Sequence, residues 1–118
     1  MKNIIFWVEI PSVNFDRAVD FYSRLLGVKL EKLDCGIEKM ACLPNDAGAI
    51  FYAPDYKPSK DGVLVSLNAG NDLDGWIEKV KENGGEITLP KTKIEAEGRG
   101  WFALFTDTEG NRLSLYGY

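Results

Sequence analysis

The order of apolar patterns in this chain occurs twice, and that repeat constrains the fold more than any other feature. Each half reads as one alternating strand, one capped amphipathic helix and three further short strands, at a spacing of roughly 60 residues. A half of this size cannot cover both faces of its own sheet. Two halves can, with one helix laid on one face of each sheet and the opposite faces meeting or enclosing a cavity. At 118 residues the chain has room for one such domain.

In the first half, Ile4, Phe6, Val8 and Ile10 alternate with Ile5, Trp7 and Glu9 up to Pro11, which predicts a strand over 4–10. Asn14 stands where a helix N-cap belongs, and Asp16 follows in the first turn. Ala18, Phe21, Tyr22, Leu25 and Leu26 make one helical face, and Gly27 stops the helix. Strands are expected over 28–33, 38–43 and 49–53, with turns at Asp34-Cys35-Gly36 and Pro44-Asn45-Asp46.

A polar stretch at 54–62, rich in Pro, Lys and Asp, reads as a linker, with Tyr56-Lys57-Pro58-Ser59 as a possible lid. It sets the first module at about 1–55 and the second at about 63–118, within one domain over 1–118. In the second module Val63, Val65 and Leu67 alternate with Leu64, Ser66 and Asn68. Asn71 or Asp72 caps a helix whose face is Leu73, Trp76, Ile77 and Val80, closed by Gly84-Gly85. Strands are expected over 86–89, 101–105 and 112–116. In the repeat Gly27 corresponds to Gly85, and Gly48 to Gly110.

Parity then sorts the strand residues by face. Ile4, Phe6, Val8 and Ile10 belong under the first helix, which turns Trp7 and Glu9 the other way. Leu113 and Leu115 belong under the second helix, which leaves Ser114 and Tyr116 opposite, with Ser66 and Asn68 from the strand before the helix. Tyr52 and Trp101 join them on weaker grounds, because their strand registers are not fixed by alternation. Trp7, Glu9, Tyr52, Ser66, Asn68, Trp101, Ser114 and Tyr116 are therefore the expected ligand-binding residues of one concave site. The same face could instead pack flat against its twin or a second subunit, with Trp7 and Tyr116 as core.

The composition closes off several kinds of chemistry. The chain has no histidine, so Ser-His and Cys-His nucleophile pairs are excluded, along with the commonest metal ligand. Cys35 and Cys42 lack a zinc spacing and read as plain thiols in or near strands, of the kind usually found buried. The net charge of −4 and the lack of any long basic run argue against nucleic acid or an anionic membrane as partner. No apolar run reaches the length of a membrane span. The opening residues, Met1 through Trp7, do not read as a signal peptide, and a cytoplasmic location is the default expectation.

The repeated order, with several local motifs, resembles the vicinal oxygen chelate superfamily, also called the glyoxalase / bleomycin resistance / dioxygenase superfamily. Val8-Glu9-Ile10-Pro11 through Asn14-Phe15-Asp16-Arg17-Ala18-Val19-Asp20-Phe21-Tyr22 is similar to its opening signature. Asp72-Leu73-Asp74, Glu82-Asn83-Gly84-Gly85, Leu89-Pro90-Lys91-Thr92, Gly100 through Phe105 and Asp107-Thr108-Glu109-Gly110-Asn111 complete the likeness. The resemblance implies an α+β fold of two βαβββ modules that form a paired, cup-shaped, eight-stranded mixed sheet, often within a homodimer.

Enzymes of that superfamily chelate a divalent metal with His, Gln or Glu from the first, fourth, fifth and eighth strands. Carried onto this sequence, those positions fall on Trp7, on Phe51 or Tyr52, on Leu64 or Val65, and on Ser114. None is a normal ligand for a catalytic divalent ion. The reading therefore expects no cofactor and speaks against metal-dependent lyase, dioxygenase or epimerase activity.

Three classes of function remain open. The first is a metal-free protein that holds a small organic molecule in the cup, as the drug-sequestering members of the superfamily do. The second is a metal-independent lyase or isomerase in which Glu9 is the general base. The third is a structural or regulatory dimer without a small ligand. Arg99, in Glu97-Gly98-Arg99-Gly100, could close over an anionic ligand or be an ordinary solvated charge.

Overall fold

The computed structural model describes residues 4–118. The first three residues of the opening segment lie outside the described residues. The chain divides into two compact units, Met1–Pro58 and Ser59–Tyr118. Each is one βαβββ module with a four-stranded mixed sheet, so the eight strands fall four and four.

The first unit contains β1 (Val8–Pro11), α1 (Phe15–Leu26), β2 (Lys32–Cys35), β3 (Glu38–Cys42) and β4 (Gly48–Tyr52). Its sheet order is β1-β4-β3-β2, with β1 parallel to β4 and the other pairs antiparallel. The Asn14 side chain accepts a hydrogen bond from the Arg17 N–H, which satisfies a donor the first helical turn leaves open. Gly27, at φ 71°, takes the left-handed conformation that ends the helix. Phe21, Tyr22 and Leu25 on α1 and Ile50 on β4 are buried and form the centre of this core. At Gly48 a side chain would run into the Val8 carbonyl, so only glycine lets β4 start this close to β1.

The second unit contains β5 (Ser66–Gly70), α2 (Leu73–Glu82), β6 (Glu86–Lys93), β7 (Trp101–Thr106) and β8 (Arg112–Gly117), in the sheet order β5-β8-β7-β6. Asp72 is the N-cap and accepts from the Gly75 N–H. Leu73, Ile77 and Val80 are buried, and α2 packs on all four strands of its sheet. Leu67, Ala103, Phe105, Leu113 and Leu115 share the face beneath it. No helix among the described residues is long and apolar enough to cross a membrane.

Several boundaries differ from the sequence expectation. The first strand starts at Val8, and Ile4, Ile5 and Phe6 precede it as exposed residues. The fifth likewise starts at Ser66, after an exposed Val63 and Leu64. The second starts at Lys32 because Val28 and Leu30 are drawn into the end of α1. The Val28 N–H binds the Ser23 carbonyl, and the Leu30 N–H binds the Ser23 hydroxyl. In α2 the matching long-range closing bond runs from the Gly85 N–H to the Val80 carbonyl, and Gly84 has φ 94°. Gly27 thus corresponds to Gly84, not to Gly85. The sixth strand continues through Pro90 to Lys93, with register shifts along the way. Its place at the sheet edge makes the missing Pro90 N–H tolerable. Both cysteines lie in strands as free thiols, but both are exposed.

Candidate functional site

Strand register decides which side chains stand away from the helices, since directly paired residues share a face. In the first unit Ile10 pairs with Ile50, and Ile50 with Ala41, giving the buried row under α1. The intervening residues point the other way. There Glu9 pairs with Ala49 and Ala49 with Cys42, while Pro11 pairs with Phe51 and Phe51 with Met40. The helix-free face of this sheet therefore carries a half-buried carboxylate, Glu9, beside Phe51 and Met40. Tyr56 from the following loop packs edge-on against Phe51 at 5.4 Å between ring centroids. Ser12 is buried behind this row and donates to the Phe51 carbonyl at 2.9 Å.

Two of the expected residues of the first unit are placed differently. Tyr52 pairs with Lys39 on the face of Ile50 and Ala41, which is the helix face. It lines a cavity of about 550 Å³ at the start of α1, with Asn14, Asp16, Arg17 and Lys39. Tyr52 is thus separated from Glu9, and Phe51 takes its place on the Glu9 face. Trp7 precedes β1 and is half-buried, so strand parity does not extend to it.

In the second unit Ser66 pairs with Ser114 and Ser114 with Leu104. Asn68 pairs with Tyr116 and Tyr116 with Phe102. Ser66, Asn68, Ser114 and Tyr116 therefore share the helix-free face, together with Phe102 and Leu104. Sequence reasoning missed Phe102 and Leu104, although they follow from the register that places Ala103 and Phe105 under α2. Several polar groups of this face are already engaged. The Asn68 side-chain oxygen accepts from the Gly70 N–H at 2.9 Å. The Ser114 hydroxyl donates to the Leu115 carbonyl at 3.5 Å. Tyr116 and Tyr118 meet edge-on at 6.5 Å. Burial raises the Tyr116 hydroxyl above its ordinary pKa, the neighbouring Tyr118 adds to this, and the positive charge of Arg99 opposes it.

Trp101 does not belong to that face. It pairs with Gly117 and shares parity with Ala103 and Phe105, toward α2. Its ring is covered by the Lys91 ammonium at 5.3 Å, a cation–π contact, and the same ammonium lies 3.4 Å from the Asp74 carboxylate on α2.

The positions that would carry a divalent metal in the resembling enzymes can be tested on their chemistry. Trp7 offers an indole, and Phe51 or Tyr52 a hydrocarbon ring or a phenol. Leu64 and Val65 offer aliphatic groups ahead of β5, and Ser114 an alcohol already bonded to its neighbour. These groups do not fit the metal. Among the described residues no group of three or more His, Cys, Asp or Glu side chains is gathered as a metal site.

Residues 4–115 match the Glyoxalase/Bleomycin resistance protein/Dioxygenase superfamily, and the chain belongs to it. Its sequence is 27% identical to the CFP32 proteins of Mycobacterium bovis and Mycobacterium tuberculosis, which are named as glyoxylases. The match covers 93% of this chain and 44% of theirs, so the chain spans less than half the length of these relatives. A glyoxalase/bleomycin resistance protein from Albidiferax ferrireducens has the same fold, with a TM-score of 0.74 at 17% identity over 98% of this chain and 99% of that one. The fosfomycin resistance protein FosX of Listeria monocytogenes gives 0.72 at 14% identity, over 100% and 95% of the two chains. A glyoxalase I variant from Zea mays gives 0.71 at 22% identity, over 94% of this chain and 44% of that one.

Proposed function

We propose that this chain is a small-molecule-binding member of the superfamily that holds an organic ligand without a metal. The observation that carries the reading is the chemistry at the family's ligand positions. Indole, hydrocarbon, phenol and alcohol groups stand there in place of His, Gln or Glu. The binding surfaces we propose are the helix-free faces, each taken by itself: Glu9 with Phe51 on the sheet of the first unit, and Ser66, Asn68, Ser114 and Tyr116 on the sheet of the second. Trp7 joins it as a flanking aromatic. A lone carboxylate among aromatic and thioether side chains favours a neutral or cationic organic molecule, because a second anion beside Glu9 would cost free energy.

The test has two arms. Elemental analysis of purified, tag-free protein should find no stoichiometric Zn, Ni, Fe or Mn. A thermal-shift screen of neutral and cationic aromatics should return a ligand whose affinity falls in Glu9→Gln by about 1.5–3 kcal/mol, the worth of a charged hydrogen bond. Turnover of that ligand, lost in Glu9→Gln, would instead make Glu9 a catalytic base. Near-unit metal occupancy would reject the metal-free reading.

We propose further that the chain functions as a homodimer. Both sheets keep open edges, β1 and β2 in one and β5 and β6 in the other. Phe6 and Val63, ahead of β1 and β5, are 88% and 92% exposed. Light scattering at tens of micromolar should give twice the chain mass, and a monomer mass would count against the dimer.

A further inference from the structure

The loop between β6 and β7 borders a cavity of about 480 Å³ that lies wholly in the second unit. That volume is within the usual range for small-ligand sites. The loop is held in a defined shape. The Ile94 N–H bonds to the Gly100 carbonyl at 3.0 Å, and the Arg99 N–H bonds to the Ala96 carbonyl at 3.2 Å. Tyr118 ties it down from the chain's last position, its hydroxyl donating to the Gly98 carbonyl at 3.4 Å. Tyr118 is itself fixed, since its N–H bonds to the Gly70 carbonyl at 2.8 Å. Gly100, at φ 82°, lies against the Tyr118 ring, where a side chain would come within 3.1 Å of the ring carbon bearing the hydroxyl.

The wall therefore combines the Tyr118 and Trp101 rings with the Arg99 guanidinium. Arg99 makes no ion pair among the described residues, and it is exposed. Its charge nevertheless reaches Tyr116, where it favours the ionised form. Lys93, Glu95 and Glu97 share the wall and are exposed. Arg99 and the Tyr118 ring thus line one cavity. A planar guanidinium with open donors beside aromatic faces matches a carboxylate attached to an aromatic ring: the acid meets Arg99 and the ring lies on Tyr118.

We propose that this cavity is a second binding site, selective for aromatic carboxylates. It goes beyond the helix-free-face reading, uses none of Glu9, Ser66, Asn68 or Ser114, and favours the opposite ligand charge.

The experiment is a titration of the full, isotopically labelled chain with 2-naphthoate, followed by amide NMR shifts, with 2-naphthylmethylammonium as the charge-reversed probe. The expected result is saturable shifts at residues 93–101 and Tyr118 with 2-naphthoate and much weaker ones with the amine. Arg99→Gln should weaken 2-naphthoate on the order of tenfold, the effect of losing one charge-assisted hydrogen bond. Arg99→Lys should recover part of that loss. The spectra of both variants report directly whether the fold is kept, and the exposed position of Arg99 makes that the expected outcome. Equal binding of both probes, an unchanged affinity in Arg99→Gln, or shifts that fall elsewhere would each overturn the proposal. Shifts at Glu9, Ser66 and Ser114 with the amine alone would support the helix-free-face reading and reject this second site.

Discussion

In the first unit the helix-free face of the sheet carries a carboxylate, Glu9, among Phe51, Met40 and the exposed thiol of Cys42. In the second it carries two serines, an asparagine and Tyr116 beside Phe102 and Leu104, with Arg99 acting on the Tyr116 phenol from the adjoining loop. The opposite faces differ less: the centres of both are aliphatic and aromatic and buried, and both lie beneath a helix capped by an Asn or Asp side chain. The contrast separates two demands on one frame. Residues under the helices are dictated by packing, which tolerates little besides apolar volume. Residues on the other face are free of that demand, and there the two modules diverge from acidic to neutral polar chemistry.

If the helix faces are equivalent in kind, equal damage to them should cost similar stability. Leu25→Ala in α1 and Leu73→Ala in α2 both empty a fully buried site. Each should lose about 2–5 kcal/mol in denaturant unfolding. A loss confined to one of the two would break the parallel and make one helix a passenger.

The caps give a finer version of the same comparison. Asn14→Ala and Asp72→Ala each remove one acceptor from a helix start. Each should cost about 1 kcal/mol. Unequal costs would show that one helix start has other support.

The smallest expected effects are at the exposed ion pairs, which differ between the units. Lys32 pairs with Asp16 at 3.0 Å and makes no cation–π contact among the described residues. Lys91 pairs with Asp74 and also covers Trp101. Lys32→Ala should change stability by less than about 1 kcal/mol. Lys91→Ala should cost somewhat more, roughly 0.5–1 kcal/mol in addition for the lost cation–π contact. Identical values would mean that the Trp101 contact contributes nothing.

Much of the frame was legible in the sequence because helix signals are redundant. In α1, period, N-cap and C-terminal glycine all agree, and Asn14 and Gly27 take the roles read for them. Strand starts were less legible. Ile4 through Trp7 alternate like a strand, yet pairing begins only at Val8, because β4 begins at Gly48 and offers no partner farther back. Alternation describes a side-chain pattern, whereas a strand needs a neighbour. The residues of the helix-free face were legible only where apolar and polar residues alternate cleanly, as at Ser66, Asn68, Ser114 and Tyr116. In Phe51-Tyr52 and in Trp101 through Phe105 nearly every residue is apolar or aromatic, so parity cannot choose a face. Register chose it instead, turning Tyr52 and Trp101 toward the helices and Phe51 and Phe102 away.

The central claim is that the helix-free faces bind a small organic molecule without help from a metal. The most direct test is amide NMR mapping of the ligand returned by the neutral and cationic screen, run with and without a strong chelator. The account predicts saturable shifts at Glu9 and Phe51 on the first unit, or at Ser66, Ser114 and Tyr116 on the second, that are unchanged by the chelator. Binding that disappears on chelation and returns with added divalent metal would contradict it, as would saturable binding that leaves those five residues untouched.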